Sequence, residues 1–349
     1  MKTNKDSATI RDVARLAGVS VATISRYLNN GSLVSTETAE LVRAAMAELK
    51  YVPHPIARNL ATKRTNTVGL VINDIQGEFF TPLLDGVIDT TESFNYNLLI
   101  FTSKRSSHHD RLLLGPIYTD GLLVFLDSLG ENDLRELHEA GHPIVLIHQS
   151  APAGLDIPVV TIENKRASFR IVSHLIEQHN RRRIVFLQGP QNNEDSYWRE
   201  IGYQEALKDH GLEFDDALIS RGDFDRFVAH KSLQTLIQNG VEFDAVFSGD
   251  DEAAIGVLRA LSEAGLKVPQ QISVAGFDDQ RLAPFLNPPL TTAHAPTDQV
   301  GITATQQLIQ LIRQEPTEPV ILLPTELVLR SSCGCQNPLH PEDTVPIIR

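Results

Sequence analysis

Residues 12–30 read DVARLAGVSVATISRYLNN, two short segments with apolar residues at helical spacing, joined at the small-residue turn AGVS. Thr9 and Asp12 stand at the spacing of a capping box, and Ile10, Val13, Ala14 and Ala17 share a face until Gly18 ends the helix. Ser20 is placed to cap a second helix, which stops at Asn29-Asn30-Gly31, residues suited to a left-handed backbone. Ser35 opens a third helix with Ala39, Val42, Met46 and Leu49 on one face, enough to close a three-helix core. Two helices joined by so tight a turn predict a helix-turn-helix. With Ile24 and Leu28 facing inward, Val21, Ala22, Ser25 and Arg26 face outward near the helix end that enters a major groove. Arg26 suits a bidentate contact to guanine, and Val21 and Ala22 suit thymine methyls. The competing reading is a small three-helix packing domain with no nucleic acid.

Charge separates these readings. The 349-residue chain has a formal net charge of −13, but residues 1–64 carry ten Lys/Arg against five Asp/Glu, and the remainder 21 against 39. A patterned basic head on an acidic body points to a polyanionic partner. The hydrophobic fraction of 42% suffices for a large core and more than one unit. Two cysteines, Cys333 and Cys335, make no disulfide framework, which fits a reducing compartment. No export leader and no apolar run of about 18 residues is legible, so the expectation is a soluble, cytoplasmic protein.

The segment HPIARNLATKRTN, 54–66, places Pro55 at a first helical position and Ile56 and Leu60 on one face. About eight residues are too few for a stable isolated helix. Arg58, Lys63 and Arg64 suggest that DNA orders it, with Leu60 as a wedge in the minor groove; a plain linker is the alternative.

Beyond residue 66, short β-rich runs (TVGLVIND, YNLLIFTS, DGLLVFLD, PIVLIHQ, VVTIEN, RRIVFLQGP, DAVFSGDD, ISVAGFDD) alternate with helical patterns. That rhythm predicts parallel sheets covered by helices, and the length divides into two similar α/β lobes with a ligand cleft beyond the carboxyl ends of the strands. The cleft candidates follow those strands: Phe79, Phe80, Arg199, Phe224, Asp250 and Asp278, with Asp74, Asp195 and Trp198 as further members. Aromatic faces combined with Arg and Asp suit a hydroxyl-rich ligand, a sugar above all.

The chain resembles the LacI/GalR family of transcriptional regulators: TIRDVARLAGVSVATISRYLNNGSLVSTETAELVRAAMAELKYVPHPIARNLA matches the family headpiece and hinge, and the body continues the match to about residue 332. The resemblance implies an N-terminal all-α helix-turn-helix headpiece plus an α/β periplasmic-binding-protein-like body of two Rossmann-like lobes. It divides the chain into a headpiece (1–52), a hinge helix and linker (53–66), a body (67–332) and a tail (333–349). Within the body it implies one lobe near 67–162 with 291–320, and another near 163–290 with 321–332. By the same resemblance, Ser20, Val21, Ala22, Thr23, Ser25, Arg26 and Asn29 carry groove and phosphate contacts, Ser35 and Thr38 touch the DNA backbone, and Leu60 intercalates. Positions matching Phe80, Arg199, Phe224, Asp250 and Asp278 line an effector site. The implied partners are a pseudo-palindromic operator, a small effector and a second copy of the chain; no cofactor is expected.

Catalytic patterns are weak. HEAGH at 138–142 fits H-E-x-x-H, but Gly141 and Pro143 end the helix before both histidines can share it. The pairs Asp250-Asp251 and Asp278-Asp279 read as binding or loop carboxylates, no phosphate-cradling glycine motif follows a strand, and two thiols without nearby ligands make a poor metal site. A sugar-transport binding protein would need an export leader in place of the headpiece, and a glycosidase would need turnover.

Overall fold

The computed structural model describes residues 8–29, 34–51, 64–73, 77–103 and 114–336. The hinge segment with Leu60, Asp74, the side chain of Asn29 and everything past residue 336 lie outside the described residues. The chain divides into two compact units, Met1–Thr65 and Asn66–Arg349.

In the first unit, α1 (Ile10–Ala17), α2 (Val21–Asn29) and α3 (Thr36–Glu48) enclose a core of Val13, Ala14, Ala17, Ile24, Val42 and Ala45. The Asp12 carboxylate accepts from the Thr9 N–H at 3.0 Å and the Thr9 hydroxyl at 2.6 Å, which fixes the start of α1. Gly18 ends the helix in left-handed conformation (φ 66°), and the Val19 N–H closes back on Ala14 O at 3.1 Å. Ser20 then caps α2 by accepting from the Thr23 N–H at 3.1 Å, and Ser35 caps α3 by accepting from Thr38 N–H at 3.3 Å.

The second unit holds two parallel sheets. The first contains β1 (Thr67–Ile72), β2 (Asn97–Thr102), β3 (Gly121–Phe125), β4 (Ile144–Ile147) and β5 (Val159–Ile162), with α4 (Phe80–Ser93) and α5 (Glu131–Glu139) in the connections. After β5 the chain passes through α6 (Asn164–His179) into a second sheet of β6 (Ile184–Gln188), β7 (Ile219–Arg221), β8 (Ala245–Ser248) and β9 (Ser273–Ala275), interleaved with α7 (Glu194–Asp209), α8 (Arg226–Gln238) and α9 (Asp251–Glu263). It then runs through β10 (Thr292–His294), α10 (Thr297–Ile312), β11 (Val320–Leu323) and β12 (Glu326–Val328). The sheet orders are β11-β5-β4-β3-β1-β2 and β7-β6-β8-β9, with β10 and β12 forming a separate antiparallel pair. Strand runs such as LLVF and IVLI are buried throughout, as parallel sheets covered on both faces require.

The returns between lobes differ from expectation in three places. Residues 291–294 were expected with the first lobe, yet the Gly276 N–H donates to Thr291 O and the Asp278 N–H to Ala293 O, so this stretch lies along the second sheet. β11, expected to fall largely in the second lobe, extends the first sheet in parallel register with β5 because its Val-Ile-Leu-Leu run covers that edge. Residues 333–336 are docked: Cys333 is fully buried, and its carbonyl accepts from the Ser273 hydroxyl at 2.6 Å.

Candidate functional site

Both sheets reverse strand order beside their first strand, β1 between β2 and β3 and β6 between β7 and β8. Loops at the carboxyl ends of strands flanking such a reversal diverge and leave a crevice. Phe79 and Phe80 follow β1 and start α4, and their rings meet edge-on at 5.4 Å. Phe125, at the end of β3, lies 5.2 Å from Phe80 and 6.0 Å from Phe79. His148, just past β4, packs 5.9 Å from Phe79 and is itself in left-handed conformation. These four rings form an aromatic wall on the first lobe.

His148 also joins that wall to the second lobe. Its Nδ1 lies 3.0 Å from Asp195 on α7, while its buried Nε2 has no partner among the described residues. Asp195 also accepts from Asn164 Nδ2 at 2.6 Å. Burial pushes the Asp195 carboxyl up, but His148, Arg199 and Asn164 outweigh it and hold it below the usual carboxylate range.

Arg199 is the hub. Although only 2% exposed, it donates from Nε to Asn164 Oδ1 (2.9 Å), from one terminal nitrogen to Gly249 O (2.6 Å) and from the other to Asp278 Oδ1 (3.1 Å). Its guanidinium stacks 3.7 Å from the Phe277 ring centre and 5.4 Å from that of Phe224. A guanidinium carries five N–H groups, so two lie outside these three bonds.

Asp250 caps α9 by accepting from the Ala253 N–H at 2.9 Å. Burial, with Asp278 nearby, pushes its carboxyl up to about 8; burial also raises Asp278, against the pull of Arg199. Phe224, Asp278 and Asp279 all sit at positive φ, so strained backbone gathers at the carboxyl ends of the strands.

The paired carboxylates divide their work. Asp251 accepts from the Thr292 hydroxyl and the Gln280 N–H, and Asp279 pairs with Arg330, which leaves Asp250 and Asp278 toward the Arg199 cluster. Trp198 lines a groove of about 710 Å³ that Asn164 also lines, and its Nε1 donates to Glu194 at 3.3 Å. His148, Asn164, Phe125 and Phe277 were missed, although His148 and Asn164 follow their strands as directly as the residues selected. His142 of HEAGH lies past the end of α5, buried against Thr119 Oγ1 at 3.2 Å. The CGC thiols, expected to stand without nearby ligands, have His174 and His179 beside them.

In the headpiece, Val21, Ala22 and Arg26 are exposed on α2, and Ile24 is fully buried beneath them. Ser25 and Thr23 are half-buried; the Ser20 and Thr23 hydroxyls meet at 2.9 Å, as do those of Ser35 and Thr38. Both hydroxyl pairs sit at helix starts, where free N–H groups favour phosphate.

Residues 9–54 match the family described as bacterial regulatory proteins, lacI family, and residues 172–333 match the periplasmic binding protein-like domain. The chain is 34% identical over 337 residues to the HTH-type transcriptional regulator CelR of Thermobifida fusca, covering 93% of this chain and 98% of the relative. Its fold is similar to that of the lac repressor dimer bound to operator and the anti-inducer ONPF, with a TM-score of 0.81 at 26% identity, covering 94% of this chain and 99% of the other. It is also similar to a CelR–cellobiose complex, with a TM-score of 0.68 at 31% identity, covering 93% and 99%. A helix-turn-helix headpiece joined to this two-lobed body defines a DNA-binding transcriptional regulator. The chain belongs to the LacI family of bacterial regulatory proteins. No described helix is long and apolar enough to cross a membrane.

Proposed function

We propose that the protein is a cytoplasmic, homodimeric repressor of carbohydrate-utilisation genes, whose operator affinity is set by a small sugar-like effector bound between the two lobes. The observation that carries this reading is the buried Arg199 hub. It holds Asp278 beside Asp250 at the second lobe's strand ends, and the His148–Asp195 pair links it to the aromatic wall of Phe79 and Phe80. Charged acceptors and donors beside ring faces bind hydroxyls and the apolar faces of a pyranose together. The CelR structure bound to cellobiose supports the ligand class.

For DNA, Arg26 is the proposed base reader, with Val21 and Ala22 against thymine methyls and Ser20, Thr23, Ser25, Asn29, Ser35 and Thr38 toward groove edges and phosphates. Leu60 is the proposed minor-groove wedge. Arg26→Ala should cost about 1–3 kcal/mol of operator binding and relax base preference at one position per half-site, read by fluorescence anisotropy on operator variants.

Thermal-shift screening against neutral sugars and sugar phosphates tests the effector, since a ligand that binds only the folded state raises the melting temperature. The same ligand must change operator affinity by the coupling it shares with DNA, and must be recovered unchanged after incubation. Binding without any effect on operator affinity would favour a transport or sensing role; conversion of the sugar would make the protein an enzyme.

A further inference from the structure

Among the described residues, four side chains outside the Arg199 cluster converge on one point. His174 and His179 end α6, and Cys333 and Cys335 flank Gly334 in a short turn 154 or more residues later in the chain. Their four ligand atoms all lie within 4.8 Å of one another. The two imidazole Nε2 atoms are 3.2 Å apart; Cys333 Sγ is 3.6 Å from His174 Nε2; and Cys335 Sγ is 3.5 Å and 3.6 Å from the Nε2 atoms of His174 and His179.

A tetrahedral zinc ion with bonds of about 2.0–2.1 Å to nitrogen and 2.3 Å to sulfur sets its ligands about 3.3–3.4 Å apart for N···N and 3.5–3.6 Å for N···S. The four distances follow that figure. A two-iron cluster would hold its histidine and cysteine pairs on separate irons and spread them further. We propose that His174, His179, Cys333 and Cys335 form a closed, structural zinc site that ties the end of the chain to the second lobe.

The surroundings are built for it. Gly334 has φ 120°, and a Cβ there would come within 2.8 Å of His179 Nδ1, so the C-G-C turn accepts only glycine between its two thiols. Residues five apart on a helix point about 140° away from each other. His179 nevertheless meets His174 edge-on at 4.9 Å, at the last turn of α6. The Thr291 hydroxyl lies 3.1 Å from Cys333 Sγ and 2.8 Å from Arg330 O, an outer contact that fixes the position of the thiol. A groove of about 510 Å³ lined by His174, His179 and Cys335 opens the site to solvent for metal entry. Donors of the S₂N₂ type in tetrahedral array select zinc over magnesium or calcium.

The full-length protein, purified under reducing conditions without chelator, should carry one zinc per chain by elemental mass spectrometry. After zinc is removed, cobalt(II) should produce the intense visible bands of tetrahedral coordination together with thiolate-to-cobalt charge transfer. Cys335→Ser and His179→Gln should each weaken zinc retention at least tenfold and change those bands, and apo protein should melt at a lower temperature until zinc is restored. Far-UV circular dichroism and gel filtration of the full-length variants report that they remain folded. The proposal is overturned if wild-type protein retains no stoichiometric metal and cobalt gives no thiolate band, or if mass spectrometry of the reduced preparation finds Cys333 and Cys335 joined as a disulfide.

Discussion

Single residues decide how the cleft responds to pH. Asp250 is raised to about 8 in the folded protein, against an ordinary value near 3.8, because burial and the neighbouring Asp278 penalise its charged form. The folded state therefore binds the proton more tightly than the unfolded state. The resulting stabilisation is complete below about pH 4 and is lost as pH rises toward 8. Asp250→Asn keeps the helix cap and cannot ionise. Urea denaturation at several pH values should show a shallower decline across that window for the variant; parallel slopes would mean that Asp250 stays ionised in the native protein. Arg199 acts on stability through its contacts, one of its three hydrogen bonds going to the buried carboxylate of Asp278. Arg199→Ala should cost about 3–5 kcal/mol of body stability in calorimetry, since Asp278 is left buried without its partner. A loss of effector response in that variant must therefore be separated from a loss of fold.

At the level of elements, α2 contributes one fully buried side chain, Ile24, to a core of six, with Tyr27 and Leu28 packed against it. Ile24→Ala should cost about 2–5 kcal/mol. Because headpiece and body are separate compact units, calorimetry should show the headpiece transition move down while the body transition stays fixed. This headpiece was readable residue by residue: Thr9, Gly18, Ser20 and Ser35 act within three or four positions of themselves, so local spacing carries the whole signal. The rule that ligands meet strand ends also selected Asp250 and Asp278, and the R-x-x-G-Y stretch supplied Arg199; the fold brings the three into one cluster. Applied to IVLIHQ and VVTIEN, the same rule would have selected His148 and Asn164 as well. The zinc ligands were not picked out, although His174 and His179 stand at a familiar H-x3–5-H ligand spacing, because the thiols lie more than 150 residues further along and only the fold brings them to the two histidines. The lobe boundaries were misplaced for a related reason: β11 has the same composition as a strand of either sheet, and only pairing with β5 assigns it.

For the whole molecule, the second lobe leaves Phe227 and Phe285 70% and 82% exposed. We propose that the Phe285 ring, the more exposed of the two, is covered by the second copy in the proposed dimer. Phe285→Asp should move the sedimenting species from dimer to monomer and weaken binding to a full operator far more than to a half-site. The returning strand β11 also has a consequence for how the protein is made. Its backbone closes the edge of β5, with the Val159 N–H donating to Pro319 O and the Glu163 N–H to Leu323 O. The headpiece needs nothing beyond residue 51 for its described contacts, and the second sheet has all four strands once residue 275 has emerged. The first sheet, begun at residue 67, must wait for residue 323. At about 5–20 residues per second, its β5 edge stands open on the ribosome for roughly 8–30 s after it is synthesised. The sheet translated first is completed after the sheet translated second, and through that interval a nascent chain exposes a buried-type strand to any neighbour able to pair with it.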